Sequence, residues 1–327
     1  MNVVVTGCAG FIGWKVCSRL ISEGNVVVGI DDLNDAYDVR LKMWRLDDLK
    51  GKQGFHFHQL DICDRTSLEQ CLGSYQPHLS FDAVINLAAR AGVRQSVIDP
   101  WVYYQTNVIG TLNLLELCRK YRINKFVLAS SSSVYGDANQ MPFRENCNTD
   151  NPLSPYAASK KAAEVLAYSY HFLYKLDITV LRYFTVFGPA GRPDLSIFKF
   201  IRQISEGQEI TVYGDGRQTR DFTYVDDIAR GTLLATKPLG YEIINLGNNH
   251  PLELANIISI IETQLGQKAK KQYSPPHPAD VPATWADISK AKTLLNWEPR
   301  IVAEEGIQNT IKWYQENRTW AKNVEAK

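Results

Sequence analysis

The run Thr6-Gly7-Cys8-Ala9-Gly10-Phe11-Ile12-Gly13 lies between three consecutive valines, Val3 to Val5, and an amphipathic helical pattern over residues 12–23. Glycines spaced G-x-x-G-x-x-G between a strand and a helix supply a tight turn, a close backbone approach and close helix-strand packing. Together these make a seat for a pyrophosphate at the helix N-terminus. A glycine triplet alone is equally an ordinary turn. Here Asp31 closes the second apolar run 18 residues after Gly13, where a carboxylate accepts hydrogen bonds from an adenosine ribose. With Asp32 beside it and no Arg immediately following, the pocket is expected to repel a 2′-phosphate, which favours NAD over NADP. Asp61-Ile62, after the third apolar run, are placed to flank the adenine, although an Asp there serves equally as a helix N-cap.

Such a turn works at the edge of a parallel sheet, and the first half of the chain has the pattern of one. Short apolar runs at residues 3–5, 26–30, 55–60, 83–87, 126–129 and 178–181 alternate with helical patterns at 12–23, 65–71, 102–121 and 156–175. The expected class is α/β, a Rossmann doubly wound parallel sheet with a smaller C-terminal substrate-binding α/β lobe. After Tyr183 the loops become frequent, marked by Gly188-Pro189, Gly191, Arg192-Pro193 and Gly214-Asp215-Gly216, with helical patterns at 195–206, 226–237, 252–265 and 304–315. The expected division is 1–182 for the nucleotide-binding part and 183–327 for the substrate lobe, with the run 242–245 able to return to the first sheet.

Composition removes several function classes. The 36 Lys plus Arg against 35 Asp plus Glu leave a net charge of +1, so no basic excess exists to drive nucleic-acid binding. The cysteines (Cys8, Cys17, Cys63, Cys71, Cys118, Cys147) form no C-x-x-C pair and no zinc-like spacing with His, so neither disulfides nor a metal are expected. No signal-like segment opens the chain and no apolar run is long enough to cross a bilayer, which predicts a cytoplasmic protein without a membrane partner.

Tyr156-x-x-x-Lys160 places a phenol and an ammonium on one helix face, one turn apart. The pattern is weak alone, and Tyr121-x-x-x-Lys125 repeats it. Tyr121 and Lys125 span a helix end and a strand start, so they are not expected to face each other. Tyr156 instead opens a helix after Asn151-Pro152-Leu153-Ser154-Pro155 and follows Ser131 by 25 residues, in a Ser130-Ser131-Ser132-Ser133 run at a strand's C-terminal end. Ligands bind at that edge. A phenol of ordinary pKa near 10 is a poor base at neutral pH, but a neighbouring ammonium and a positive nicotinamide favour the phenolate. Tyr156 can then take a hydroxyl proton while hydride leaves the same carbon, and a Ser hydroxyl holds the oxygen.

Three further stretches carry a specific resemblance: Gly29-Ile30-Asp31-Asp32-Leu33-Asn34-Asp35-Ala36-Tyr37-Asp38-Val39-Arg40, Leu87-Ala88-Ala89-Arg90-Ala91-Gly92-Val93-Arg94, and Tyr183 to Asp194 with its Gly188-Pro189-Ala190-Gly191-Arg192-Pro193 core. With the motifs above they make the chain resemble, nearly end to end, the extended short-chain dehydrogenase/reductases that act on nucleotide sugars, in their uronate 4-epimerase branch. The resemblance implies interconversion of UDP-glucuronate and UDP-galacturonate with tightly held NAD, through a 4-keto intermediate that rotates before hydride returns. It implies a proton relay at Ser131 or Ser133 with Tyr156 and Lys160. Cofactor contacts are implied at Gly7, Gly10, Phe11, Ile12, Gly13, Asp31, Asp61, Ile62, Leu87, Ala88 and Ala89. For a UDP-uronic acid it implies contacts at Ser132, Thr185, Arg192, Arg220 and Asp280, with Arg94 and Arg90 next in line for the carboxylate. Thr185 stands where neutral-sugar epimerases usually carry Asn, and Arg192 is expected to face the uronate carboxylate. Three departures from the family pattern are Cys8 for Ala, Asn86 for His and Arg90 for Gln.

Oxidation at carbon 4 places a ketone β to the carboxylate, and such acids lose carbon dioxide when the carboxylate bond aligns with the carbonyl π system. A guanidinium fork with Thr185 and the Ser run is suited to prevent that alignment. The alternative activities are a UDP-glucuronate decarboxylase, which typically carries Glu where Ser133 stands, and a non-catalytic nucleotide-binding scaffold. Apolar residues at helical spacing over 103–121 and 156–174 predict a homodimer through paired helices.

Overall fold

The computed structural model describes residues 1–76, 78–137, 140–276 and 281–325. Its first half contains β1 (Asn2–Thr6), β2 (Val26–Asp31), β3 (Phe55–Gln59), β4 (Ala83–Asn86), β5 (Lys125–Ser131) and β6 (Asp177–Tyr183). Between them run α1 (Phe11–Ser22), α2 (Val39–Leu49), α3 (Arg65–Tyr75), α4 (Val93–Ile98), α5 (Trp101–Tyr104), α6 (Gly110–Tyr121) and α7 (Pro155–Tyr174). There follow β7 (Thr185–Phe187), α8 (Ser196–Ser205), β8 (Glu209–Tyr213), β9 (Thr219–Arg220), β10 (Phe222–Tyr224), α9 (Val225–Leu234) and β11 (Tyr241–Leu246). The chain ends with β12 (Leu252–Glu253), α10 (Leu254–Leu265), β13 (Lys270–Ser274), α11 (Ser289–Leu295), α12 (Ala303–Glu316) and α13 (Arg318–Ala321).

Seven strands form one parallel sheet in the order β3-β2-β1-β4-β5-β6-β11, so the late strand does return to the first sheet, beside β6. The strand order reverses between β1 and β4, and the crevice outside the carboxyl ends at such a point is where ligands bind. Both faces are covered, as the unbroken apolar strands require. Val3, Val5, Val27, Ile85 and Val127 enter a core that continues through α1, α8, α9 and α12. Their alternate neighbours Val4, Val28, Val84, Phe126 and Leu128 enter a second core under α3, α6 and α7. The period of two in side-chain direction decides which residue goes to which core.

Two elements depart from the sequence reading. The pattern over 102–121 becomes α5, a π-helical turn Gln105–Ile109 and α6, because one extra residue is accommodated inside the helix. Helix α2 was not anticipated, and its buried face explains why: beside Leu41, Leu46 and Leu49 it carries Lys42 and Arg45, which interrupt the apolar period. Helix α7 begins where expected, with Pro155 in its first turn and the Ser154 hydroxyl accepting from Ala157 N at 3.2 Å. Among the described residues the cysteines are free, and no helix is long and apolar enough to cross a membrane.

Candidate active site

The nucleotide end is built on contacts that exclude side chains. A Cβ on Gly13 would lie 2.0 Å from the Gly7 carbonyl oxygen, and one on Gly7, whose φ is +69°, would lie 2.7 Å from Ala88 N. Gly10 caps α1 without any side-chain hydrogen bond, so the first-turn N–H groups at Phe11, Ile12 and Gly13 point at the crevice for an anion. Leu87, Ala88 and Ala89 form the facing wall, half-buried after β4, with Ala88 N donating to Thr6 Oγ1 at 3.2 Å. Asp31 ends β2 with its carboxylate accepting from Ala9 N (3.1 Å) and Leu33 N (2.9 Å), and Lys42 Nζ is 3.7 Å away. Burial pushes the Asp31 carboxyl above its ordinary value, against the opposing charge of Lys42. A glycine cradle that a Cβ would fill, an uncapped helix start and an acid at the second strand end fit an adenine dinucleotide.

Asp61 and Ile62 sit differently from one another. Asp61 is exposed and accepts from Cys63 N at 2.8 Å, while the N-cap of α3 is Asp64, which accepts from Ser67 N at 3.1 Å. The capping role considered for Asp61 therefore belongs to Asp64. The Ile62 side chain is core, packed where a Gly110 Cβ would be, and its carbonyl accepts from Asn113 Nδ2 at 3.0 Å. The family departures are also accommodated. Cys8 is buried with its sulfur against Gly29, and Asn86 links Thr6 to Thr111 at 2.8 and 3.0 Å. Arg90 donates to Asn34 Oδ1 at 3.3 Å.

At the catalytic end the Ser run leaves β5 in a 3-10 turn, Ser132–Tyr135, with Ser131 Oγ accepting from Ser133 N and donating to Ser133 Oγ, both at 3.1 Å. Ser132 and Ser133 are half-buried. The half-buried Tyr156 hydroxyl lies near enough to Ser131 and Arg192 for both to act on its acidity. Burial pushes the Tyr156 phenol up, and the Ser131 hydroxyl and the Arg192 charge pull it back. Lys160 is buried, donates to Ala129 O at 2.8 Å, and is pushed down to about 8 by that burial, with the Glu164 charge opposing. The competing Tyr121–Lys125 pair is split: the Tyr121 hydroxyl donates to Glu69 O at 3.0 Å, while Lys125 Nζ meets Asp177 at 2.5 Å and Thr179 at 2.8 Å.

The substrate end starts from Thr185 and Arg192, which line one pocket with Phe11, Gly188, Gly191 and Phe222. Arg192 reaches Asp194 through Nε (3.1 Å) and Nη2 (2.5 Å), and Nη2 also donates to Ala91 O at 3.3 Å. Ser131 comes from the end of β5, Tyr156 from the start of α7, Thr185 from the start of β7 and Arg192 from the loop after it; Ser131 and Arg192 act on Tyr156, and Thr185 shares the Arg192 pocket. The wall continues from Ala91 through Gly92 to Arg94, whose guanidinium lies 4.1 Å over the Tyr213 ring. Arg220 Nη1 donates to Thr219 O (2.8 Å) and Pro282 O (3.4 Å), which places it on the outer rim. Asp280 lies outside the described residues.

Three features of the site were not anticipated. Asn107, on the π-helical turn, accepts from Arg90 N at 2.9 Å and donates to Ser159 Oγ at 2.8 Å, fixing the loop after β4 against the catalytic helix. Beneath the Ser run, Ser130 Oγ donates to Glu164 Oε1 at 2.5 Å, and Glu164 pairs with Arg182 at 2.8 and 3.0 Å with both side chains buried. Arg45 is wholly buried against the glycine-rich turn. The π insertion is a recognisable marker of function in a structure but leaves no mark in apolar spacing.

The depressed Lys160 sets a pH dependence of stability. Folded Lys160 loses its proton near pH 8 while the unfolded chain holds it to about 10.5, so across that window the unfolded chain binds more protons and stability from this group rises with pH. Lys160→Met removes that increment. Denaturant melts of parent and variant are expected to diverge in the parent's favour between about pH 8 and 10.5, and parallel curves would show that Lys160 titrates normally.

The family profile described as GDP-mannose 4,6 dehydratase matches residues 4–310. A UDP-glucuronate 4-epimerase of Thermodesulfobacterium geofontis is 56% identical over 322 residues, 98% of each chain. The UDP-glucuronic acid 4-epimerase of Bacillus cereus, solved with UDP-glucuronic acid and NAD, superposes with a TM-score of 0.90 at 37% identity, over 97% of this chain and 100% of that one. The UDP-glucose 4-epimerase of Thermotoga maritima, solved with UDP-glucose, gives 0.89 at 32% over 97% and 100%. Since likeness of fold extends across sugars with and without a carboxylate, the fold alone does not choose the substrate. What the whole-length match does establish is descent: this chain belongs to the GDP-mannose 4,6 dehydratase family of extended short-chain dehydrogenase/reductases.

Proposed function

We propose that this protein interconverts UDP-glucuronate and UDP-galacturonate by transient oxidation at sugar carbon 4. The observation that carries the reading is Arg192, a cation whose charge acts on Tyr156 from a pocket shared with Thr185. Asp194 already meets this guanidinium, and a uronate carboxylate can share it where a neutral sugar offers no anion. The 56% identity to a UDP-glucuronate 4-epimerase supports the same substrate.

Gly7, Gly10, Phe11, Ile12, Gly13, Asp31 and the Leu87-Ala88-Ala89 wall hold NAD, with Asp61 and the Ile62 backbone beside the adenine. Bound there, NAD supplies the hydride acceptor for carbon 4 and the donor for its return. Ser131, with Ser133 behind it, holds the carbon 4 oxygen, and Tyr156 takes its proton. The Lys160 ammonium favours the phenolate against the burial that disfavours it. Thr185, Ser132 and Arg192 hold the carboxylate near the ring plane. Arg220 neutralises the diphosphate, Arg94 stands next in line for the carboxylate, and Asp280 is a UDP contact by the family resemblance. In this division residues 1–182 hold the cofactor and 183–327 the sugar nucleotide, and the chemistry belongs in the cytoplasm, where nucleotide sugars are made.

Incubation with UDP-glucuronate followed by chromatography tests the reading: UDP-galacturonate is expected, UDP-xylose would identify a decarboxylase, and no turnover would leave a binding scaffold. Ser133, where the decarboxylases carry a carboxylate, favours the first outcome, and the intact Tyr156–Lys160 pair disfavours the last. Tyr156→Phe is expected to keep NAD and its fold while losing about 10²- to 10⁴-fold in rate; activity within tenfold of the parent would reject the base assignment.

Arg192→Ala tests the clamp. Loss of a charge-assisted hydrogen bond worth about 1.5 to 3 kcal/mol should weaken UDP-glucuronate binding with NAD retained. Freed of the clamp, the keto acid breaks its carbon 5–carbon 6 bond, leaving the electron pair on the 4-enolate, which takes a proton from water as carbon dioxide departs. Label at carbon 6 should therefore be released; a variant that binds and epimerises like the parent, with no label lost, would move the clamp elsewhere.

The assembly is a homodimer in this reading. Val165, Tyr168 and Phe172 make one exposed apolar stripe along α7, and Tyr104 and Ile109 are exposed ahead of α6. A stripe of this kind on two neighbouring helices suits an isologous contact. Light scattering should give twice the chain mass at micromolar concentration, and Tyr168→Glu with Phe172→Glu should give monomers. A monomeric parent overturns the dimer.

A further inference from the structure

We infer that Arg45 is a positioning residue for the carboxylate clamp: from the unanticipated helix α2 it locks the turn that carries Arg192 onto the glycine-rich cofactor turn. The inference rests on the substrate reading above. Arg45 is fully buried. Its Nε and Nη2 both donate to Ala190 O, at 3.0 and 2.6 Å, and Nη2 reaches Gly191 O at 3.3 Å. Its Nη1 donates to Ala9 O at 3.1 Å and to the Tyr37 hydroxyl at 2.6 Å. One planar fork therefore joins Ala9, between the glycines of the cofactor turn, to the two residues immediately before Arg192.

A second observation gives the contact a purpose. Ala190 holds φ at +51°, a left-handed conformation that residues with a Cβ avoid, and it is wholly buried. Such a conformation persists only where the surroundings over-determine it. Here the paired donors on the Ala190 carbonyl do so, and they set the direction in which the chain delivers Arg192. Ala190 and Gly191 alone would leave the Arg192 backbone several orientations; with the turn locked, the guanidinium is held between Asp194 and Ala91 O. Lysine cannot replace the fork, because an ammonium offers a single point of charge where three carbonyls and a phenol must be met by one planar group. Arg45 touches no reacting atom, so its effect falls on clamp geometry and not on proton transfer at Tyr156.

Arg45→Lys, which keeps the buried charge, and Arg45→Met test this in the full-length holoenzyme. In Arg45→Lys, amide hydrogen exchange across residues 188–194 should rise about tenfold, KM for UDP-glucuronate should rise about tenfold with kcat within about threefold, and label from carbon 6 should appear as carbon dioxide. Arg45→Met should exceed it in all but kcat; if that variant does not fold, Arg45→Lys alone decides. Unchanged exchange over 188–194 overturns the lock. Raised exchange with parental KM and no label release also overturns the proposal, since Arg45 would then be structural only. Should the parent fail to turn over UDP-glucuronate at all, the substrate reading falls, while the exchange comparison still judges the lock.

Discussion

The carbonyl oxygen of Gly7 occupies the space a side chain at Gly13 would need, 2.0 Å from where its first carbon would stand. That contact seats the first turn of α1 against the end of β1, and much of the architecture is fixed from it. With α1 in place, its buried face meets α9, the Lys15–Asp226 pair at 2.9 Å marks the junction, and the C-terminal lobe shares a continuous core with one face of the sheet. The crevice between the β1 and β4 ends is held open above the same turn. Cofactor seat and lobe packing are thus consequences of one backbone approach that glycine alone permits.

Buried polar groups do the remaining positioning. The Glu164–Arg182 pair lies under the Ser run, bonded to Ser130, and Arg182 also stacks 4.8 Å from the Tyr135 ring. A buried ion pair contributes little net stability over an apolar alternative, yet leaving one partner alone costs about 3–5 kcal/mol. It therefore specifies an arrangement more than it stabilises one. Here the arrangement ties β5 and α7, which deliver Ser131 and Tyr156, to β6, whose end leads into Thr185 on β7. Asn107 does the same for the loop after β4. Lys160 is pushed down to about 8 by burial in this dry surrounding.

Much of this was legible in the chain itself. The alternation of short apolar runs with helical patterns determined a parallel α/β sheet, because strands buried on both faces have to be apolar throughout. The glycine spacing with Asp31 determined where a dinucleotide would sit, since the requirement is on backbone space and glycine is the residue that satisfies it. Tyr156 and Lys160 could be chosen over Tyr121 and Lys125 because a pair one turn apart faces together only inside a helix. What the tertiary structure alone decided was every contact made by a charged residue in the interior. Lys42 and Arg45 on the buried face of α2 hid that helix, the Glu164–Arg182 pair left no mark in the sequence pattern, and Asp64 took the cap that Asp61 had been offered. The physical reason is common to all of them. Apolar periodicity records which face is removed from water, whereas a buried charge is stable only through partners distant in sequence, such as Ala190 for Arg45 at a separation of 145 residues, and those partners exist only once the fold does.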